Sequence, residues 1–105
     1  MTRYPLRLRL DGRLAVVVGG GATAARQAAA LSAAGASVLV VAERLSPPLA
    51  EQVAGGLIAA RRGRYLAADL NGAWLVLACD ADPAVNAEVA ADAERRRLWC
   101  LTGAT

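Results

Sequence analysis

The stretch Leu14-Ala15-Val16-Val17-Val18-Gly19-Gly20-Gly21-Ala22-Thr23-Ala24 decides the fold. Its first five residues are apolar, mostly β-branched and do not alternate, as in a strand covered on both faces. After the three glycines an alanine-rich run predicts a helix over Ala22–Ala34, with Gly35 placed to end it in the left-handed conformation. Gly19 to Ala24 fit G-x-G-x-x-A directly between that strand and that helix, the context in which the pattern counts as a dinucleotide fingerprint. Gly19 permits the tight turn, Gly21 lets the backbone approach a pyrophosphate without a Cβ in the way, and Ala24 keeps the helix close to the sheet. The unpaired N–H groups at the helix start then face the phosphates.

Working outward, Tyr4–Leu10 alternates leucine with arginine behind Pro5, the period of a half-buried edge strand. Val38–Val41 reads as a second doubly buried strand. Ser46-Pro47-Pro48 opens a short helix to Ala54, with Ser46 as N-cap and Pro47 at its first position. Leu57–Ala60 predicts a brief strand, followed by Arg61, Arg62 and Arg64 and a polar loop around Asp69. Trp74–Ala78 predicts another strand, with Trp74 and Trp99 as core residues. Asp82-Pro83 repeats the cap-plus-proline signature and opens a helix to Arg96, in which Asp92 and Arg96 are spaced to pair and Asn86 to bond within the first turns. Leu98–Leu101 is a last strand. Strand–helix alternation of this kind predicts a Rossmann-like, doubly wound α/β fold with a parallel sheet, a single domain over residues 1–105.

Composition narrows the chemistry. The chain has 105 residues, no histidine and no lysine, so all twelve basic residues are arginine. An imidazole base, a lysine Schiff base, a P-loop lysine and histidine-containing metal sites are excluded, and no metal site is expected. The net charge is +3, with Arg61, Arg62 and Arg64 in one cluster and Arg95, Arg96 and Arg97 in another. Such clusters are solvated helix ends and loops, or a seat for a polyanionic ligand. Basic and aromatic residues do not interleave, so a nucleic-acid partner is not expected. No apolar stretch reaches the roughly 20 residues a membrane span needs. The chain opens Met-Thr-Arg-Tyr with no apolar signal segment behind the arginine, which predicts a cytoplasmic protein with Cys79 and Cys100 reduced. Cys79 has no histidine to activate it and reads as a packed thiol.

For the adenosine ribose, Glu43 lies 24 residues after Gly19, where a carboxylate accepts from the 2′-hydroxyl of NAD. Arg44 beside it would instead meet the 2′-phosphate of NADP, so NAD is the cofactor favoured and NADP the alternative. Asp80, at the carboxyl end of the fourth buried strand, is the candidate carboxylate for chemistry, against its reading as a turn or cap residue.

Together the opening Y-P-L-R-L-R-L-D-G-R, V-V-V-G-G-G, A-A-G-A, V-L-V-V-A, D-L-N-G-A-W-L-V-L-A and D-P-A-V-N resemble precorrin-2 dehydrogenase, the NAD-binding amino-terminal module of sirohaem synthases. The resemblance covers essentially the whole chain. It implies oxidation of precorrin-2 to sirohydrochlorin with NAD as acceptor, and in many relatives subsequent insertion of ferrous iron. The tetrapyrrole carries many carboxylates, which would give the arginine clusters a partner. By the same resemblance Ala22 and Thr23 fall where the family's backbone meets the pyrophosphate, and Glu43 and Arg44 beside the adenosine end. Two departures stand out. Asp80 occupies a position where relatives have threonine, and Ala81 replaces an aspartate. Ala104 stands where the family carries its acid/base aspartate, and the family's following segment, which dimerises and completes the tetrapyrrole cleft, is expected to be absent, so that a homodimer or a partner chain would complete the cleft. The alternative expectation is a non-catalytic dinucleotide-binding module, or a fragment that works beside a partner.

Overall fold

The computed structural model describes residues 4–102. Five strands form one parallel sheet: β1 (Leu14–Val18), β2 (Ser37–Ala42), β3 (Ala59–Arg62), β4 (Leu75–Ala78) and β5 (Trp99–Thr102). Their spatial order is β3-β2-β1-β4-β5. Helix α1 (Ala22–Ala33) joins β1 to β2, α2 (Pro47–Ala54) joins β2 to β3, and α3 (Pro83–Arg95) joins β4 to β5. A short 3-10 turn, Ala67–Leu70, precedes β4. The doubly wound α/β architecture read from the sequence is the one observed.

The unbroken apolar run of β1 serves both faces of the sheet. Ala15 and Val17 pack with Val38, Val40, Leu75 and Leu77 under α1 and α2, whereas Val16 and Val18 pack with Val41, Val76 and Ala78 under α3. Ala24 and Ala28 of α1 are fully buried against the first face, so their small side chains set how closely the helix approaches. Inserting methylenes there would force off-rotamer packing at about 1–3 kcal/mol. Val89 and Ala93, at four-residue spacing, are the fully buried stripe of α3, with Val85 half-buried beside them. Gly35 ends α1 at φ +89°, as its position predicted.

Several expectations need correction. Tyr4–Leu10 is not a strand. Its alternation is still used: Leu10 is buried and Leu8 half-buried against the α1 face, while the arginines point outward. The two edges of the sheet are β3 and β5, so the segment lies on the core without entering a ladder. The third strand is displaced by two residues, to Ala59–Arg62, because its register pairs Leu39 with Ala59 and Ala42 with Arg62. Leu57 is left in the preceding turn, exposed. Trp74 and Trp99 are not core residues. Both lie partly in solvent, and Trp74 carries the Arg13 guanidinium 3.8 Å over its ring. Ser46 sits at the N-cap of α2 but its hydroxyl caps nothing; Oγ is buried without a hydrogen-bond partner. The next two residues are prolines, which remove the first amides a cap would bind.

Asp92 pairs with Arg95, not Arg96, and accepts from the buried Tyr65 hydroxyl at 2.8 Å. Arg96 instead reaches back to Asn71 Oδ1 at 2.7 Å and the Ala67 carbonyl at 2.9 Å, tying the end of α3 to the 3-10 turn. No helix among the described residues is long and apolar enough to cross a membrane.

Candidate functional site

In a parallel sheet all strands point their carboxyl ends the same way, and ligands bind beyond those ends where the strand order reverses. Here that place lies between β1, whose connection leads to β2 on one side, and β4 on the other. A cleft of about 910 Å³ opens there, within the usual size for small-molecule and cofactor sites of roughly 300–1,000 Å³. Its walls are the glycine turn, the start of α1, the end of β2, the segment after β3, and the turn between β4 and α3.

The three glycines do three different things. Gly19 adopts φ +138°, and a Cβ on it would lie 2.5 Å from the Cys79 carbonyl oxygen. It therefore both makes the turn and lets β1 pass close beside the end of β4. Gly20 packs backbone to backbone against the loop after β2. A Cβ there would lie 1.8 Å from the Arg44 carbonyl oxygen, and the Gly20 carbonyl accepts from the Ser46 N–H at 2.8 Å. The sequence pattern treats this residue as a spacer and missed that contact, which depends on a loop over 20 residues away in the chain. Gly21 is the N-cap of α1, and a Cβ built on it meets nothing within 4 Å. Its bare side faces open space.

The start of α1 is correspondingly unprotected. No side chain caps it and its first turn holds no acidic residue. Its first amides have no partner within the helix, and Ala22 and Thr23 line the cleft. Thr23 Oγ1 accepts from Arg26 at 3.3 Å, which leaves its hydroxyl hydrogen to donate. Bare amides, a helix dipole and a glycine facing empty space are the features that accommodate a pyrophosphate, so the residues present fit a dinucleotide.

Glu43 and Arg44 follow β2 directly, both exposed and both on the cleft wall. The arginine clusters, by contrast, separate. Arg61 is held by Asp69 through two bonds of 2.5 Å and also donates to the Arg64 carbonyl at 2.8 Å. Burial alone would raise the Asp69 carboxyl, but the Arg61 guanidinium and the Leu66 N–H outweigh it and hold it below the usual carboxylate range. Of this cluster, Arg64 lines the cleft and Arg61 and Arg62 do not. The second cluster, Arg95 to Arg97, is at the carboxyl end of α3, which a parallel crossover places at the opposite end of the sheet from the cleft. Cations there complement the helix dipole. Of the six arginines in the two clusters, Arg64 is the one that lines the cleft, and the other five fit the reading as solvated helix ends and loops.

The turn between β4 and α3 closes the other wall. Asp82 caps α3 by accepting from the Ala84 N–H at 2.9 Å, as expected. The Asn86 side chain does not bond within its own helix turn. Its Oδ1 accepts from the Asp80 N–H and its Nδ2 donates to the Asp80 carbonyl, each at 2.9 Å. Asp80 Oδ1 in turn accepts from the Asp82 N–H at 2.9 Å, so Asp80 acts as a turn residue and also lines the cleft. Cys79 and Cys100 are half-buried thiols, and burial raises the Cys100 thiol. Tyr65, missed in the sequence, is buried and lines the cleft; burial first, then Glu88 and Asp69 nearby, raise its phenol despite Arg96 and Arg95. Among the described residues no group of three or more His, Cys, Asp or Glu is arranged to hold a metal. Ala104 lies outside the described residues.

Residues 6–104 match the family described as "Putative NAD(P)-binding". The siroheme synthase of Chromobacterium violaceum is 45% identical over 98 residues, and siroheme synthase 3 of Aeromonas hydrophila 40% over 99 residues. These cover 93% and 94% of this chain but 21% of each relative, so the chain spans about a fifth of their length. The solved structure of SirC, a precorrin-2 dehydrogenase, is similar at TM-score 0.79 and 33% identity, over 84% of this chain and 44% of that one. A likeness in fold alone extends to the UDP-N-acetylmuramate:L-alanyl-gamma-D-glutamyl-meso-diaminopimelate ligase from Neisseria meningitides, with TM-score 0.65 and 22% identity over 88% of this chain and 29% of that one. With its glycine turn, its bare helix start and a match over nearly its whole length, the chain belongs to this NAD(P)-binding family.

Proposed function

We propose that residues 1–105 form one dinucleotide-binding unit that takes part in the oxidation of precorrin-2 to sirohydrochlorin, in the cytoplasm, with NAD as the cofactor. The carrying observation is the glycine turn: Gly21 opens onto empty space at the bare start of α1, in a cleft at the reversal of strand order. In this reading Gly19, Gly20 and Gly21 shape the turn, and the amides of Ala22 and Thr23 hold the pyrophosphate. Glu43 accepts from the adenosine ribose, and Arg44 flanks it. Glu43 supports NAD over NADP, since a carboxylate beside the 2′ position repels a phosphate there.

When bound, the dinucleotide supplies the electron-pair acceptor, and the protein's part is to orient it and the substrate. Arg64, on the cleft rim, pairs with a carboxylate of the tetrapyrrole. Asp80, on the β4 side of the cleft, is the carboxylate this reading assigns to the reacting half. Its bond to the Asp82 N–H engages one oxygen, Oδ1, as acceptor. A positioned base contributes roughly 10²–10⁴-fold, so with Ala104 in the aspartate's place turnover is slow.

A second reading is favoured by Ala104 itself: a non-catalytic dinucleotide-binding module, or a fragment that works only beside a partner chain. The two separate in one assay that combines the protein with NAD and precorrin-2 and follows NADH and sirohydrochlorin absorbance together. Slow turnover supports the enzyme. NAD binding without turnover, with activity appearing in Ala104→Asp, supports the module. Failure to bind NAD or NADP at millimolar concentration overturns both.

A further inference from the structure

Across the cleft from Glu43 and Arg44, the wall made by the β4–α3 turn is acidic. Asp80 and Asp82 line the cleft there, and that turn contributes no cation to the lining. The turn is also fixed. The Asn86 amide clamps the Asp80 peptide from both sides, and Asp80 Oδ1 is tied to the Asp82 N–H. The Cys79 carbonyl, one residue earlier, lies so close to Gly19 that a Cβ would meet it at 2.5 Å, and the Cys79 N–H donates to the Val18 carbonyl at 2.8 Å, so the acidic turn sits directly against the glycine turn. The positive end of α3 offsets about half an elementary charge, less than the two carboxylates carry.

This inference rests on the dinucleotide reading. With the adenosine ribose at the end of β2 and the pyrophosphate over α1, the nicotinamide half falls on the β4 side of the glycine turn. The oxidised nicotinamide ring is cationic and the reduced ring is neutral. We propose that Asp80, positioned by Asn86, makes the cleft distinguish the two oxidation states of its cofactor, stabilising the oxidised form relative to the reduced one. The rest of the lining agrees: among the described residues its charged side chains are Glu43, Asp80 and Asp82 against Arg44 and Arg64, so no surplus of cationic side chains welcomes the extra net negative charge of the reduced form. A cleft of this polarity takes up oxidised dinucleotide and releases reduced dinucleotide, the sense an oxidation requires.

The test is calorimetric titration of the intact chain with NAD+ and with NADH, in wild type, Asp80→Asn and Asp80→Glu. Asp80→Asn keeps an Oδ1 acceptor for the Asp82 N–H and removes only the charge. It is expected to weaken NAD+ relative to NADH by roughly threefold to tenfold, the scale of one charge–charge interaction in a half-exposed site. Asp80→Glu is expected to keep the wild-type preference. Raising salt is expected to shift the wild-type Kd ratio toward NADH, because screening weakens this interaction with the cationic ring. An unchanged ratio in Asp80→Asn, or an equal loss for both forms, overturns the proposal and leaves dinucleotide binding standing. If Asp80→Asn does not fold, a wild-type ratio that does not respond to salt overturns it instead. A wild-type protein that binds neither form sinks the dinucleotide reading itself.

Discussion

Helices α1 and α3 begin at the same end of the sheet, on either side of the same cleft, and they begin in opposite ways. The N-cap of α3 is Asp82, whose carboxylate accepts from the Ala84 N–H, and Pro83 removes an amide that would need a partner. The N-cap of α1 is Gly21, which has no side chain to offer, and its first turn contains neither proline nor acid. Helix α2 resembles α3 in one respect, since Pro47 and Pro48 leave few amides to satisfy. A chain that caps one helix within itself and leaves its neighbour bare has placed its unsatisfied donors in one spot. Donors at a bare helix start are satisfied by water or, better, by an anion. In the proposed reading, the difference between the two helix starts is what makes this end of the sheet a dinucleotide site.

The largest effect expected from disturbing this contrast is at Gly20. Gly20→Ala places a methyl 1.8 Å from the Arg44 carbonyl oxygen, a backbone atom that cannot rotate away. It should destabilise the protein by more than the usual overpacking range of about 1–3 kcal/mol, and thermal melting should show the loss directly. A melting temperature within a degree or two of wild type would mean that the glycine turn and the loop after β2 are not in contact. Removing the closed side of the comparison is milder. Asp82→Ala should cost about 0.5–2 kcal/mol, read in urea titration as a lower midpoint at unchanged slope, because the Ala84 N–H of α3 then loses its cap.

The smallest effect concerns the cation withheld from the cleft. Asp69 is held below the ordinary carboxylate range by Arg61 and the Leu66 N–H against the opposing effect of burial. A carboxyl lowered in the folded state contributes stability that is fully present above its unfolded pKa of about 3.9. That contribution is lost as pH falls through the folded value. Melting curves should therefore show an Asp69-dependent loss confined to pH below about 4, absent in Asp69→Asn. A loss centred near neutrality would contradict the assignment.

How far the sequence reveals all this depends on the distance over which each feature is set. The order of elements and the dinucleotide turn are legible because their causes are local: an unbroken β-branched run, then glycines, then alanines. The cap at Asp82 is legible for the same reason. The fate of the arginines is not. Arg61, Arg62 and Arg64 look alike as a string, and only folding brings Asp69 to one of them and the cleft to another. Asn86 looked like a residue serving its own helix, yet its partner is the peptide of Asp80 on the preceding turn. The Tyr4–Leu10 alternation describes one buried side and says nothing about a hydrogen-bonded neighbour, so a strand and an extended cover read identically. Gly20 carries no signal at all in a single sequence, since its constraint is another loop's carbonyl.

The most direct test converts the open helix start into the closed kind. Gly21→Asp has room for the new side chain, because a Cβ at Gly21 meets nothing within 4 Å. Its carboxylate would cap α1 as Asp82 caps α3. Folding stability and NAD affinity should be measured on the same preparation. Stability should hold or rise by a few tenths of a kcal/mol, as an aspartate cap does relative to glycine. NAD affinity should fall at least roughly a hundredfold, about 2.7 kcal/mol, because a fixed negative charge would occupy the phosphate position. NAD bound within a few-fold of wild type by a stably folded Gly21→Asp protein would contradict the account, since the bare start of α1 would then not be where the dinucleotide sits.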